Sequence, residues 1–157
     1  SKFHIKNLIR FLNTLKKMTI IITSPNFDIE NNVIKREFLK FSKKNNVHFF
    51  KSLGNLTYIS LMKQAYLVIG NSSSGVLETP SFGTNTINIG NRQNGRIISK
   101  NIINCDYSYN SINQAFKKIK NKRKQTINPF FKINTPKKIA KKLLSFNYSL
   151  KKEFYDL

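Results

Sequence analysis

The sequence predicts an α/β domain: a parallel sheet with helices on both faces. Two observations carry this. Along most of the chain, segments with a helical apolar period alternate with short β-branched apolar runs. One of those runs, Val68-Ile69-Gly70-Asn71-Ser72-Ser73-Ser74-Gly75, breaks at a glycine and re-enters a helix through three hydroxyls. Consecutive parallel strands joined by helices imply right-handed crossovers, so the alternation sets both the sheet type and its hand.

Residues 3–17 read as a helix with Ile5, Leu8, Ile9, Leu12 and Leu15 on one side, followed by an apolar strand over 18–23. Residues 29–44 repeat the pattern, with Val33, Ile34, Phe38 and Phe41 on one face, Asp28 at the start and lysines in the last turn. Strands are then expected over 47–52, 66–69, 86–89 and 102–105, and helices over 57–65, 74–82 and 111–120. Thr135-Pro136 reads as a helix start, Thr135 capping and Pro136 first inside, with an apolar stripe of Ile139, Leu143 and Leu144 that needs a surface to dock on. There is no internal repeat and no obvious linker.

The glycine-serine turn is where this chain would hold a phosphate. At a strand-to-helix turn the first helical N–H groups lack intrahelical partners, the macrodipole favours an anion, and serine hydroxyls add donors. An ordinary serine N-cap would look the same in isolation. Glu78, one turn further, is placed to accept hydrogen bonds from a polyhydroxylated group beside the phosphate. After the next strand, Gly90-Asn91-Arg92-Gln93-Asn94-Gly95-Arg96 forms a loop with two arginines beyond the carboxyl end of the sheet, where open α/β sheets bind ligands.

These residues also carry a resemblance. Gly70-Asn71-Ser72-Ser73, Gly75-Val76, Glu78, Pro80-Ser81-Phe82-Gly83-Thr84, Ile87-Asn88-Ile89-Gly90, Arg92-Gln93, Gly95-Arg96 and Ile103-Asn104-Cys105 resemble the carboxy-terminal domain of hydrolysing UDP-N-acetylglucosamine 2-epimerases, in the branch serving sialic and legionaminic acid synthesis. Pro25-Asn26-Phe27-Asp28 is similar to that family's Pro-Asn-x-Asp element, and the register is continuous over about residues 8–120. The resemblance implies a Rossmann-like sheet, the second domain of a glycosyltransferase-B-type fold, and a UDP-sugar substrate. It implies that Ser72 and Ser73 bind the diphosphate, that Glu78 bonds the ribose, and that Arg92 lies near the diphosphate and sugar. It further implies that Asn26 faces the nucleotide-sugar cleft and that the Leu53 backbone meets the uracil. Asp28 (ligand residue or helix cap), Ser74 and Arg96 are weaker candidates. Past residue 125 the likeness fades: Asn128-Pro129-Phe130-Phe131-Lys132-Ile133-Asn134 stands where the family has a Tyr-Gly-x-Gly-like turn, and 125–157 is expected to be a terminal helical segment.

Composition bounds this reading. A chain of 157 residues starting at Ser1 suits one domain with a real core but not the two that such an enzyme needs, so a fragment, or a split or truncated gene product, is expected. The missing amino-terminal domain and, at full length, a homo-oligomer are the partners implied. No cofactor or metal is implied. No segment approaches the roughly 20 apolar residues of a membrane span, and a single cysteine, Cys105, excludes an internal disulfide and suits a reducing cytoplasm. The net charge of +21, from 28 basic against 7 acidic residues, suggests polyanions. The lysines are nevertheless dispersed, and the densest run, Lys117-Lys118-Ile119-Lys120-Asn121-Lys122-Arg123-Lys124, has no interleaved aromatics to stack bases, so no specific nucleic-acid partner is expected.

The resemblance implies abstraction of the proton on C2 of the sugar, elimination of UDP to a 2-acetamidoglucal, and hydration to N-acetylmannosamine or a related amino sugar. No carboxylate pair here has spacing for that proton transfer, and His4 and His48 do not match the family's His-Pro element, so no catalytic residue is assigned. Two alternatives remain. One is the donor-binding domain of a glycosyltransferase, against which the Gly-Asn-x-x-x-Gly-x-x-Glu and Arg-Gln-x-Gly-Arg pair argues. The other is a basic polyanion-binding module, whose affinity would be insensitive to UDP.

Overall fold

The computed structural model describes residues 2–25, 31–119 and 126–145. The elements run α1 (Lys2–Leu12), β1 (Ile20–Thr23), α2 (Asn31–Phe41), β2 (Val47–Phe50), α3 (Gly54–Gln64), β3 (Leu67–Gly70), α4 (Ser74–Leu77), a 3₁₀ turn (Thr79–Ser81), β4 (Asn85–Ile89), β5 (Ile102–Cys105), α5 (Tyr109–Lys117) and α6 (Thr135–Ser145). All strand pairs are parallel. They form two ladders, β1-β2 and β3-β4-β5, whose apolar residues share one core: Ile20, Ile22 and Val47 pack with Ile87, Ile89, Phe11, Phe41 and Ile112.

β4 explains the layering. All five of its residues are buried, and side chains alternate between faces. Ile87 and Ile89 enter the cluster made with α1, α2 and α5, whereas the Thr86 hydroxyl donates to Thr79 Oγ1 (2.8 Å), just beyond α4. Helical turns therefore cover both faces of β4.

Helix ends depart from the apolar period where a side chain takes a carbonyl. The helix expected over 3–17 stops at Leu12 because Thr14 donates its hydroxyl to the Phe11 carbonyl (2.7 Å) and the chain tightens into three-residue turns. Ser42 donates to the Leu39 carbonyl (2.9 Å) at the end of α2 in the same way. At α5 the Ser108 hydroxyl accepts from Ser111 N–H (3.2 Å), which starts the helix at Tyr109, two residues ahead of the expected 111. Thr135 does not cap α6: its hydroxyl donates back to the Lys132 carbonyl (2.6 Å), and the Asn134 carbonyl accepts the first helical bond, from Lys138. The stripe of α6 is left largely open, with Ile139, Leu143 and Leu144 at 54, 69 and 89% exposure. Among the described residues no helix is long and apolar enough to cross a membrane.

Candidate functional site

β3 ends at Gly70, whose φ of +151° lies in a region open essentially to glycine, so the chain can leave the sheet abruptly there. The serine turn follows. The Ser72 carbonyl accepts from Gly75 N–H (3.2 Å), its hydroxyl accepts from Ser74 N–H (3.4 Å), and the Ser73 carbonyl accepts from Val76 (2.9 Å) and Leu77 (2.8 Å). Ser72 and Ser73 are exposed, and the Ser73 hydroxyl makes no cap bond.

The helix expected over 74–82 is divided into α4 and the 3₁₀ turn. Pro80 has no N–H to continue the ladder, and the Thr79 hydroxyl takes the Gly75 carbonyl (2.7 Å). Four helical residues sum to little macrodipole. Individual N–H groups and hydroxyls, rather than a long helix's field, are what this turn offers an anion.

Glu78 sits between α4 and the 3₁₀ turn, half-buried, with Oε2 shielded from solvent and without a hydrogen-bond partner. A buried carboxylate oxygen left unsatisfied is costly, which suits an acceptor that a ligand's hydroxyl completes. Its surroundings are fixed from two sides. Asn128 donates to the Leu77 carbonyl (2.8 Å) and to Ser81 Oγ (2.7 Å), while Thr126 donates to the Pro80 carbonyl (2.5 Å). Beneath, Asn101 donates to Thr79 Oγ1 (3.0 Å) and the Thr84 carbonyl (2.7 Å), in a buried network with Thr86. A Cβ on Gly75 would stand 3.2 Å from Thr86 Cγ2, so α4 lies close on β4.

The arginine loop leaves β4 at Gly90, whose N–H donates to the Cys105 carbonyl (2.8 Å). Its φ is +79°, and a Cβ there would fall 2.1 Å from the Tyr107 ring. Any side chain there would be strained by that φ and would have to displace the Tyr107 ring. The register pairs Gly70 with Asn88, so β3 and β4 finish at one edge. Gln93, 3% exposed, then reaches from the loop to donate Nε2–H to the Asn71 carbonyl (2.8 Å). Ser72, Ser73, Ser74 and the exposed Arg92 and Arg96 are thereby gathered at the carboxyl edge of β3 and β4.

Leu53 is elsewhere in the chain's path. It precedes α3 and, with Thr23, Ser24, Ser52, Gly54 and Tyr58, lines an open cavity of about 320 Å³ at the carboxyl ends of β1 and β2. Asn26 and Asp28 lie outside the described residues. Burial, and then the Asp106 charge, push the Cys105 thiol up to about 11, which keeps it protonated and inert as a nucleophile near neutral pH. Among the described residues no group of three or more His, Cys, Asp or Glu side chains could hold a metal ion. The sequence reading missed Gln93 and Asn128 as structural partners of the site. Gln93 stood beside Arg92 in the quoted motif, whereas nothing local marked Asn128.

A family model described as UDP-N-acetylglucosamine 2-epimerase matches residues 1–144. The chain is 46% identical over 121 residues to the GDP/UDP-N,N'-diacetylbacillosamine 2-epimerase (hydrolyzing) of Campylobacter jejuni, covering 75% of this chain and 31% of that protein. It is 33% identical over 107 residues to the UDP-N,N'-diacetylbacillosamine 2-epimerase (hydrolyzing) of Legionella pneumophila, covering 68% and 28%. To the UDP-N-acetylglucosamine 2-epimerase of Neisseria meningitidis serogroup B it is 35% identical over 101 residues, covering 64% and 26%. The chain thus spans less than a third of the length of each of these relatives.

Proposed function

The chain belongs to the UDP-N-acetylglucosamine 2-epimerase family, and we propose that it is the UDP-binding, carboxy-terminal portion of a hydrolysing 2-epimerase acting on a UDP-activated 2-acetamido sugar. The observation that carries this is Glu78: a shielded, unpartnered carboxylate oxygen one short helix beyond an exposed serine turn. In this reading the Ser72, Ser73 and Ser74 turn holds the diphosphate, Glu78 accepts from the ribose hydroxyls, and Arg92, with Arg96 nearby, faces the phosphate charge. The cavity beside Leu53 is the place for the uracil, with Asn26 and Asp28 toward the sugar.

The chemistry divides accordingly. A base removes the proton on C2, the C1–O bond breaks with its electron pair passing to the departing UDP oxygen, and water adds to the resulting glycal to give the free epimerised sugar. Charge develops on the leaving diphosphate, and fixed donors aimed at it lower the barrier. This portion supplies those donors. The proton-transferring carboxylates belong to an amino-terminal domain of the full-length polypeptide, which works in the cytoplasm as a homo-oligomer in an amino-sugar pathway of the sialic or legionaminic type.

Two of the three relatives are named for N,N'-diacetylbacillosamine, one as its GDP/UDP form and one as its UDP form, which favours a substrate with a second acetamido group over UDP-N-acetylglucosamine itself. The test is an assay of free sugar release from both UDP-sugars by the purified chain, alone and fused to an amino-terminal domain of the family. Positioning of a base and acid is worth roughly 7 to 11 kcal/mol of barrier, so the chain alone should not turn over and the fusion should. Turnover by the chain alone would contradict the division of labour.

A further inference from the structure

Building on the UDP reading above, we propose that Gln93 is a positioning residue that orients the Ser72 N–H for the diphosphate and holds the Arg92 loop beside it. The observation is a single, partly buried hydrogen bond, from Gln93 Nε2 to the carbonyl of the exposed Asn71 at 2.8 Å, made by a side chain that is itself only 3% exposed. The Asn71 carbonyl and the Ser72 N–H belong to one planar trans peptide and point in opposite directions. Fixing the carbonyl therefore fixes the N–H. This matters because Gly70, immediately before, has the widest backbone freedom in the turn.

The amide orientation is set by its surroundings: only the NH₂ group can face a carbonyl, so Oε1 is turned the other way, where it is buried without a partner. An apolar side chain of the same size would avoid that unsatisfied oxygen. Its presence indicates that the bond to Asn71 serves something other than packing. The rest of the loop is held by its own backbone, through Asn94 N–H to the Asn91 carbonyl (2.9 Å), Arg96 N–H to the Gln93 carbonyl (3.3 Å), and Gly90 on the Cys105 carbonyl. Among the described residues, Gln93 makes the one side-chain hydrogen bond joining this loop to the serine turn. Arg92 is its direct neighbour and exposed.

The experiment is calorimetry of UDP and uridine binding to the full 157-residue chain, wild type against Gln93→Met, which keeps the volume and removes the donor. Gln93→Leu, which likewise removes the donor without burying a charge, is the second variant should the first not fold. Losing an oriented hydrogen-bond donor should weaken UDP about three- to tenfold while changing uridine less than about twofold. In ¹⁵N spectra the Ser72 amide should move in the free variant, and its response to added UDP should shrink. Equal weakening of UDP and uridine, or unchanged UDP affinity, would overturn the role of Gln93. A wild-type chain that binds UDP no better than uridine would instead overturn the phosphate reading on which the role rests.

Discussion

Replacing Asn101 with alanine should cost about 2 to 3 kcal/mol of folding stability, the balance of the hydrogen bonds lost with its side chain. The side chain is 1% exposed, and its NH₂ group serves two acceptors, Thr79 Oγ1 and the Thr84 carbonyl. The neighbouring protons are already committed. Thr79 gives its hydroxyl proton to the Gly75 carbonyl and Thr84 gives its own to the Met62 carbonyl. Thr86 has a single proton for two acceptors, Thr79 Oγ1 at 2.8 Å or the Thr84 carbonyl at 3.2 Å. Without Asn101, one buried acceptor must go unpaired. Each lost bond is worth about 0.5 to 1.5 kcal/mol and the orphaned acceptor about 1 to 3 kcal/mol. Relief of the unpartnered Asn101 Oδ1 offsets part, which places the sum at the lower end. At roughly 2 to 4 °C per kcal/mol for a domain of this size, the melting temperature should fall by about 4 to 12 °C. Thermal melts and urea titrations followed by circular dichroism measure it. A change below about 0.5 kcal/mol would refute the proton inventory.

Two further outcomes follow from the site and its flank. Arg92→Ala should reduce UDP affinity by about 1.5 to 3 kcal/mol, the range for hydrogen bonds to charged groups; unchanged affinity by calorimetry would make it a sugar or interdomain residue. Cys105 has a folded value of about 11 against an ordinary 9.0. Its contribution to stability is therefore complete below pH 9 and lost as pH rises through 11. The stability difference between wild type and Cys105→Ser should shrink between pH 8 and 10.5, and alkylation of the folded thiol should be slow at pH 8; a difference independent of pH would contradict the shift.

The strands could be read because most are short β-branched or aromatic runs bounded by polar turns, and β5 falls where expected, at Ile102–Cys105. Helix ends could not, since hydroxyls of Thr14, Ser42 and Thr79 redirect carbonyls that the apolar period assigns to the helix. The edge bearing Ser72 and Arg92 was visible through its glycines and its place after β3 and β4. What holds it was not: Gln93 meets Asn71 across 22 residues and Asn128 meets Leu77 across 51, and no local pattern reports such pairings. The dipole argument for the serine turn also had to yield, because Pro80 lies too close for α4 to lengthen.

The most direct test of the account is calorimetry of the purified chain with UDP, UMP and uridine under one buffer and salt. Affinity should fall from UDP to UMP to uridine, and Glu78→Gln should weaken all three, since all carry the ribose. Equal affinity for UDP and uridine would remove the serine turn and Arg92 from the site. Binding of UDP that ignores Glu78→Gln would remove the ribose acceptor, and with it the central claim.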